Sequence, residues 1–120
     1  MQITNCRTAN INVSAGGDTT VIAAPGGAGS NPGTTISGAG TQVGDITVWG
    51  VQLEGAGATV INFKSGTTVI GGPITFTGAG STATLIPSGV PYYKCAAGQL
   101  LAMNLGTGVA VTGVLYYTLG

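Results

Sequence analysis

Few side chains in this sequence can move protons, attack electrophiles or hold metals. There is no histidine, so the Ser-His-Asp and Cys-His routes to an activated nucleophile are closed. Three carboxylates remain, Asp18, Asp45 and Glu54, beside three cations, Arg7, Lys64 and Lys94. Acid–base or glycosidic chemistry needs two carboxyl groups that converge. Asp18 and Asp45 each stand among turn residues just before an expected strand, an ordinary place for a solvated Asp. Glu54 closes a strand ahead of Gly55-Ala56-Gly57. Calcium wants several oxygens from one acidic loop, and no two acids here fall within eight residues of each other. Gly78-Ala79-Gly80-Ser81-Thr82-Ala83 loosely matches a dinucleotide fingerprint, but β-type sequence follows it where a helix is required. Asn12-Val13-Ser14 fits the glycosylation pattern without further support. The expectation is a protein without catalytic residues, metal or cofactor.

Cys6 and Cys95 lie 89 positions apart and form no close ligand pair. They are expected as free thiols, mostly buried. A disulfide from the N-terminus to a late strand is the alternative. The opening Met1–Arg7 stretch lacks a basic region followed by an apolar run, so no secretory leader is expected. Seven aromatic residues could form a sugar platform. Phe63 and Phe76 alternate with polar neighbours and read as core, and Trp49 reads as packed. In Tyr92-Tyr93 and Tyr116-Tyr117, neighbouring strand residues face opposite ways, so one tyrosine of each pair points outward. The sequence places no acid or amide cluster beside an aromatic to fix sugar hydroxyls.

The elements that must position these residues are strands. Thr, Val and Ile occupy 38 of 120 positions and Gly another 23, a mixture that suits pleated sheets and breaks helices. Expected strands are Thr19–Ala24, Asp45–Leu53, Thr59–Lys64, Thr67–Ile70, Pro73–Thr77, Ala83–Ile86, Tyr92–Cys95, Leu100–Leu105 and Val109–Thr118. Ile3–Val13 is weaker, an arm with a short strand. Ser65-Gly66 marks a hairpin turn. In Asp45–Leu53 both alternating faces are largely apolar, the mark of a strand that is central or covered on both sides. Eight to ten short strands at this spacing indicate a sandwich or a barrel. The 120 residues suit one domain with a modest core. Residues 25–44 hold seven glycines and no charge, and read as a long loop, free or ordered by a neighbouring subunit. Four Gly-Ala-Gly tripeptides at irregular spacing are turn punctuation, without a repeat.

Only 5 % of residues are charged and the formal net charge is zero. Three scattered cations cannot neutralise a nucleic-acid backbone. A mean hydropathy of +0.45 argues against disorder by charge. No apolar run approaches the roughly 20 residues of a membrane span. No nucleic-acid or membrane partner is therefore expected. A surface this poor in charge tends to associate.

Several stretches resemble a group of small tailed-bacteriophage virion proteins. They are Val60-Ile61-Asn62-Phe63-Lys64-Ser65-Gly66-Thr67, Gly71-Gly72-Pro73-Ile74, Ala96-Ala97-Gly98-Gln99-Leu100-Leu101-Ala102-Met103-Asn104-Leu105, and Val109 to Tyr117. Together they cover about half the chain. The resemblance implies a capsid decoration, or cement, protein of jelly-roll type on the outer capsid surface, often trimeric. The chain departs from such proteins at Gln99 and at Tyr93-Lys94-Cys95, and residues 25–44 look like an insertion. The expectation is an all-β, single-domain, jelly-roll-like antiparallel β-sandwich (1–120) with an N-terminal arm (1–13) and a long Gly-rich loop (25–44). As a virion protein, made in the host cytoplasm, it would bridge major capsid subunits and associate with itself, as a trimer. The alternative is a receptor-binding or carbohydrate-binding β-module of a tail or head fibre. Contacts between chains or with the capsid are expected at Ile3, Ile11, Val13, Pro25, Pro32, Ile36, Tyr92 and Tyr93.

Overall fold

A computed structural model describes residues 6–24 and 45–119. The expected contacts Ile3, Pro25, Pro32 and Ile36, and the loop 25–44, lie outside the described residues. The described chain is all β. Its strands are β1 (Arg7–Val13), β2 (Gly17–Ile22), β3 (Ile46–Gly55), β4 (Thr59–Ser65), β5 (Thr68–Phe76), β6 (Ser81–Leu85), β7 (Tyr93–Lys94), β8 (Leu101–Leu105) and β9 (Val111–Leu119).

They form two antiparallel sheets. Sheet A has the order β1-β9-β3-β6, with short β7 also on β3, and sheet B has the order β2-β8-β4-β5. The pairs nest: β4–β5 in sheet B, β3–β6 in sheet A, β2–β8 in sheet B and β1–β9 in sheet A. This is one long antiparallel ribbon rolled into a two-sheet sandwich, the jelly-roll arrangement. Between the sheets lies a core that includes Ile22, Ile46, Val48, Val51, Ile61, Phe63, Leu101, Met103, Leu115 and Tyr117.

Three features depart from the sequence reading. The first is β1. Arg7–Val13 is a full strand, paired residue for residue with β9. Its inward positions Ala9, Ile11 and Val13 are each 3 % exposed, inside this chain's own core. Ile11 and Val13, expected as contact residues, thus face this chain's own core, because the period-2 alternation of a strand turns them inward. The second is β3, whose two apolar faces become one. Val48 pairs with Tyr117 and Gly50 with Tyr116, so a bulge at Trp49 shifts the phase of the strand. Ile46 and Val48 before the bulge, and Val51 and Leu53 after it, all enter the core, as an inserted residue requires. The third is β5, which joins two expected strands into one through Gly71-Gly72-Pro73. Pro73 is tolerated because β5 is a sheet edge, where the missing N–H breaks no ladder.

Candidate interaction surface

The fold separates the carboxylates. Asp18 lies outward on sheet B, opposite Asn104, whereas Glu54 lies outward on sheet A. Asp45 precedes β3 and Glu54 sits near its far end. At about 3.3 Å per residue that places them about 30 Å apart. Among the described residues no group of His, Cys, Asp or Glu could hold a metal.

Four of the six charges are paired within the chain. Lys64 Nζ lies 2.7 Å from Asp18 Oδ2, and Lys94 Nζ lies 3.7 Å from Asp45 Oδ2. Asn104 Nδ2 donates to Asp18 Oδ1 at 2.6 Å. The hydrogen bonds from Lys64 and Asn104 hold the Asp18 carboxyl below its ordinary value. The register thus builds an acid–amide–ammonium cluster from β2, β8 and β4, with Asn62 beside Asn104. Sequence reasoning misses it because the members are up to 86 positions apart. Only the outward parity of each strand hints that they share a face. The adjoining outward positions by register are Thr20, Ala102 and Val69, none of them aromatic.

The cysteines are both free, Cys6 exposed and Cys95 buried, so the disulfide alternative is not realised. Burial pushes the Cys95 thiol up to about 11, which keeps it protonated and unreactive near neutral pH. Cys95 borders a cleft of about 510 Å³, lined also by Ser65, Thr68, Ile70, Lys94 and Gln99.

The tyrosine pairs divide as their parity requires. Tyr117 is fully buried. Its hydroxyl has no hydrogen-bond partner among the described residues, and burial raises its pKa. Tyr93 turns inward and stacks on Phe63, with ring centroids 5.1 Å apart. The Tyr93 ring lies against Gly71, where any Cβ would collide with it. Trp49 is half-buried on the bulge and donates Nε1–H to Thr118 Oγ1 at 2.8 Å.

Tyr92 points outward at 39 % exposure, within the β6–β7 loop where Ile86 and Val90 are each 67 % exposed. The loop is anchored at several points. The Tyr92 N–H donates to the Val48 carbonyl at 2.9 Å, and the Tyr92 hydroxyl donates to the Ile86 carbonyl at 2.7 Å. Pro87 packs over Gly50, where a Cβ would come within 2.7 Å of the proline ring. Pro87 and Pro91 further restrict the backbone. The result is an apolar knob held in one shape, which lowers the ordering cost of docking. Of the expected contact residues, only Tyr92 belongs to this surface. The sequence reading puts Ile86 at the end of a strand and does not single out Val90. The available signal is two large aliphatic residues isolated in a Pro/Gly-rich turn, where no sheet alternation can bury them.

Comparison of the chain with protein-family models, with curated proteins and with solved structures finds no match.

Proposed function

We propose that this chain is a non-enzymatic structural virion protein that binds the outer surface of a phage capsid, bridges major capsid subunits and so stabilises the shell. The observation that carries the reading is the surface itself. Apart from two ion pairs, the described chain carries only Arg7 and Glu54 as charges, while Ile86, Val90 and Tyr92 stand out on one braced loop. A rigid apolar anchor in a charge-poor surround suits docking onto another protein. The resemblance to phage decoration proteins adds support, since its residues fall at positions that shape the sandwich. Gly66 and Gly98 take turn conformations with φ of 59° and 73°, Phe63 fills the core, and Gly71 makes room for Tyr93. Stabilisation follows by linkage, because a partner that binds only the assembled shell shifts the equilibrium toward assembly.

The test is whether the protein copurifies with virions in fixed ratio to the major capsid protein, and whether shells lacking it fail at lower temperature. Replacing Ile86 and Val90 together by lysine is expected to remove capsid binding with the fold intact. Binding is expected to persist in moderate salt, which screens charges but not apolar contacts. Retention by the double variant would exclude the loop as the anchor.

The polar cluster favours a second reading, a receptor-binding or carbohydrate-binding module. Asp18, Asn104, Lys64 and Asn62 present donors and acceptors on one face of sheet B. Specific signal on a glycan array, lost in Asn104→Ala, would support it over the capsid reading.

A further inference from the structure

The four sheet edges differ in how they are protected. In sheet B, β2 is interrupted by a register shift between Thr20 and Ile22 and carries the paired Asp18. At the other edge, β5 has two register shifts against β4 and contains Pro73. In sheet A, β6 spans only Ser81–Leu85, Pro87 follows soon after it, and β7 adds two residues. β1 has none of these devices. Its seven residues keep an unbroken register with β9. It contains no proline, and its single charge, Arg7, stands at its start. Among the described residues nothing pairs with its outer edge. A regular edge of unpaired N–H and C=O groups is a template for another strand.

The sequence of β1 also fits a copy of itself. In an antiparallel pairing centred on Asn10, Asn10 meets Asn10, Thr8 meets Asn12, and Ala9 meets Ile11. The outward residues Thr8, Asn10 and Asn12 are all exposed, and they form an uncharged hydrogen-bonding row across the junction. The inward Ala9 and Ile11 extend the apolar layer, and Arg7, on the same face by parity, meets Val13 at each end of the junction. Antiparallel pairing about a two-fold axis is an isologous contact, in which each side supplies the same patch.

We propose that β1 of one molecule pairs antiparallel with β1 of a second copy, centred on Asn10, so that sheet A runs continuously through a two-fold dimer. The contact is independent of the capsid reading and is measured on the isolated chain, so failure of capsid binding leaves it untouched. Seven edge residues make a small interface, below the roughly 1,000 Å² of a stable contact, so association is weak and concentration-dependent.

Sedimentation of the full chain over a concentration series tests this. The wild type is expected to show a monomer–dimer equilibrium. Asn10→Lys and Asn10→Asp each set like charges opposite one another across the axis, and each is expected to weaken the dimer by about fivefold or more. An equimolar mixture of the two variants sets opposite charges together and is expected to restore association to at least the wild-type level. Thr84→Lys, an equally exposed change on β6, is expected to have no effect. The proposal is overturned if the wild type stays monomeric up to about 1 mM or assembles only as a trimer. It is equally overturned if the single variants associate like wild type, if the mixture fails to recover, or if Thr84→Lys weakens association as much as Asn10→Lys.

Discussion

The two flanks of the sandwich handle their open edges in opposite ways. On the flank of β1 and β2, the sheet A edge is straight, with seven consecutive pairs to β9 and an outward row of Thr and Asn. On the flank of β5, β6 and β7, the sheet B edge loses regular pairing and the sheet A edge is short. β5 shifts register twice, Tyr93 fills the space over Gly71, and the chain between β6 and β7 projects as an apolar knob. The strands come from one composition of Thr, Val, Ile and Gly, so composition does not cause the difference. Its cause is the placement of Gly71, Gly72, Pro73, Pro87 and Pro91, all on the second flank. An edge can be closed by irregular backbone and aromatic packing, or left regular and available.

The largest effects are expected where the irregular flank is packed. Tyr93→Ala removes the ring stacked on Phe63 and leaves a gap above Gly71, with an expected loss of about 3 kcal/mol in denaturant unfolding. Gly71→Ala drives a methyl group into the same ring and is expected to cost about 2 kcal/mol. The two changes should be strongly non-additive, since Gly71→Ala made in Tyr93→Ala no longer meets a ring. Alanine is favoured over glycine within a strand, so the second substitution should then be neutral or slightly stabilising. Additive losses would show that Tyr93 and Gly71 do not form one packing unit, and the account of this flank would fail.

The regular flank should respond less to substitution. Tyr117 pairs with Arg7 of β1, and its buried hydroxyl has no partner among the described residues. Tyr117→Phe removes that desolvated group while keeping the ring, and is expected to stabilise the fold by about 1 kcal/mol. A destabilised variant would mean that the hydroxyl is satisfied and this end of the core is more polar than described. Asn10→Lys, on the exposed row of β1, is expected to change monomer stability by no more than about 0.5 kcal/mol. Its effect belongs to association alone.

The same contrast explains what is legible in the sequence. Two sheets of short strands, the β4–β5 hairpin and the inward Phe63 and Phe76 follow from β-branched content, turn residues and alternation, which are local signals. Three departures have non-local causes. The bulge at Trp49 depends on how β3 registers against β9, so strict alternation makes the strand look apolar on both faces. β5 runs through Pro73 because it is an edge strand, a property of sheet order that no window of sequence contains. β1 reads as an arm with a short strand because it looks weak alone, and pairing with β9 is what makes it a full strand. At the candidate surface the sequence anticipates only Tyr92. Ile86 and Val90 are exposed because the proline-rich turn lifts them off the sheet. The Asp18–Lys64–Asn104 cluster exists only after three strands are laid side by side.

The smallest expected effect concerns Asp18, the charge that marks the β2 edge. Its carboxyl titrates below the ordinary value of 3.8 because Lys64 and Asn104 hydrogen-bond the ionised form. A carboxyl whose pKa is depressed by folding adds stability above its unfolded pKa and loses it as the pH falls through the folded value. The contribution should therefore be intact at pH 6 and fade below about pH 4. Asp18 is solvated, so the pair is screened and its effect is small and salt-sensitive. Melting temperatures of the wild type and Asp18→Asn, taken from pH 6 to pH 2 at low salt, provide the measurement. The wild type should melt higher at pH 6, with the gap narrowing as the carboxyl is protonated and shrinking again in high salt. A gap that stays constant with pH would mean that the amide variant differs for reasons of packing. The protection of β2 would then rest on its register shift alone, and the regular flank would carry even less electrostatic guarding than the contrast assigns to it.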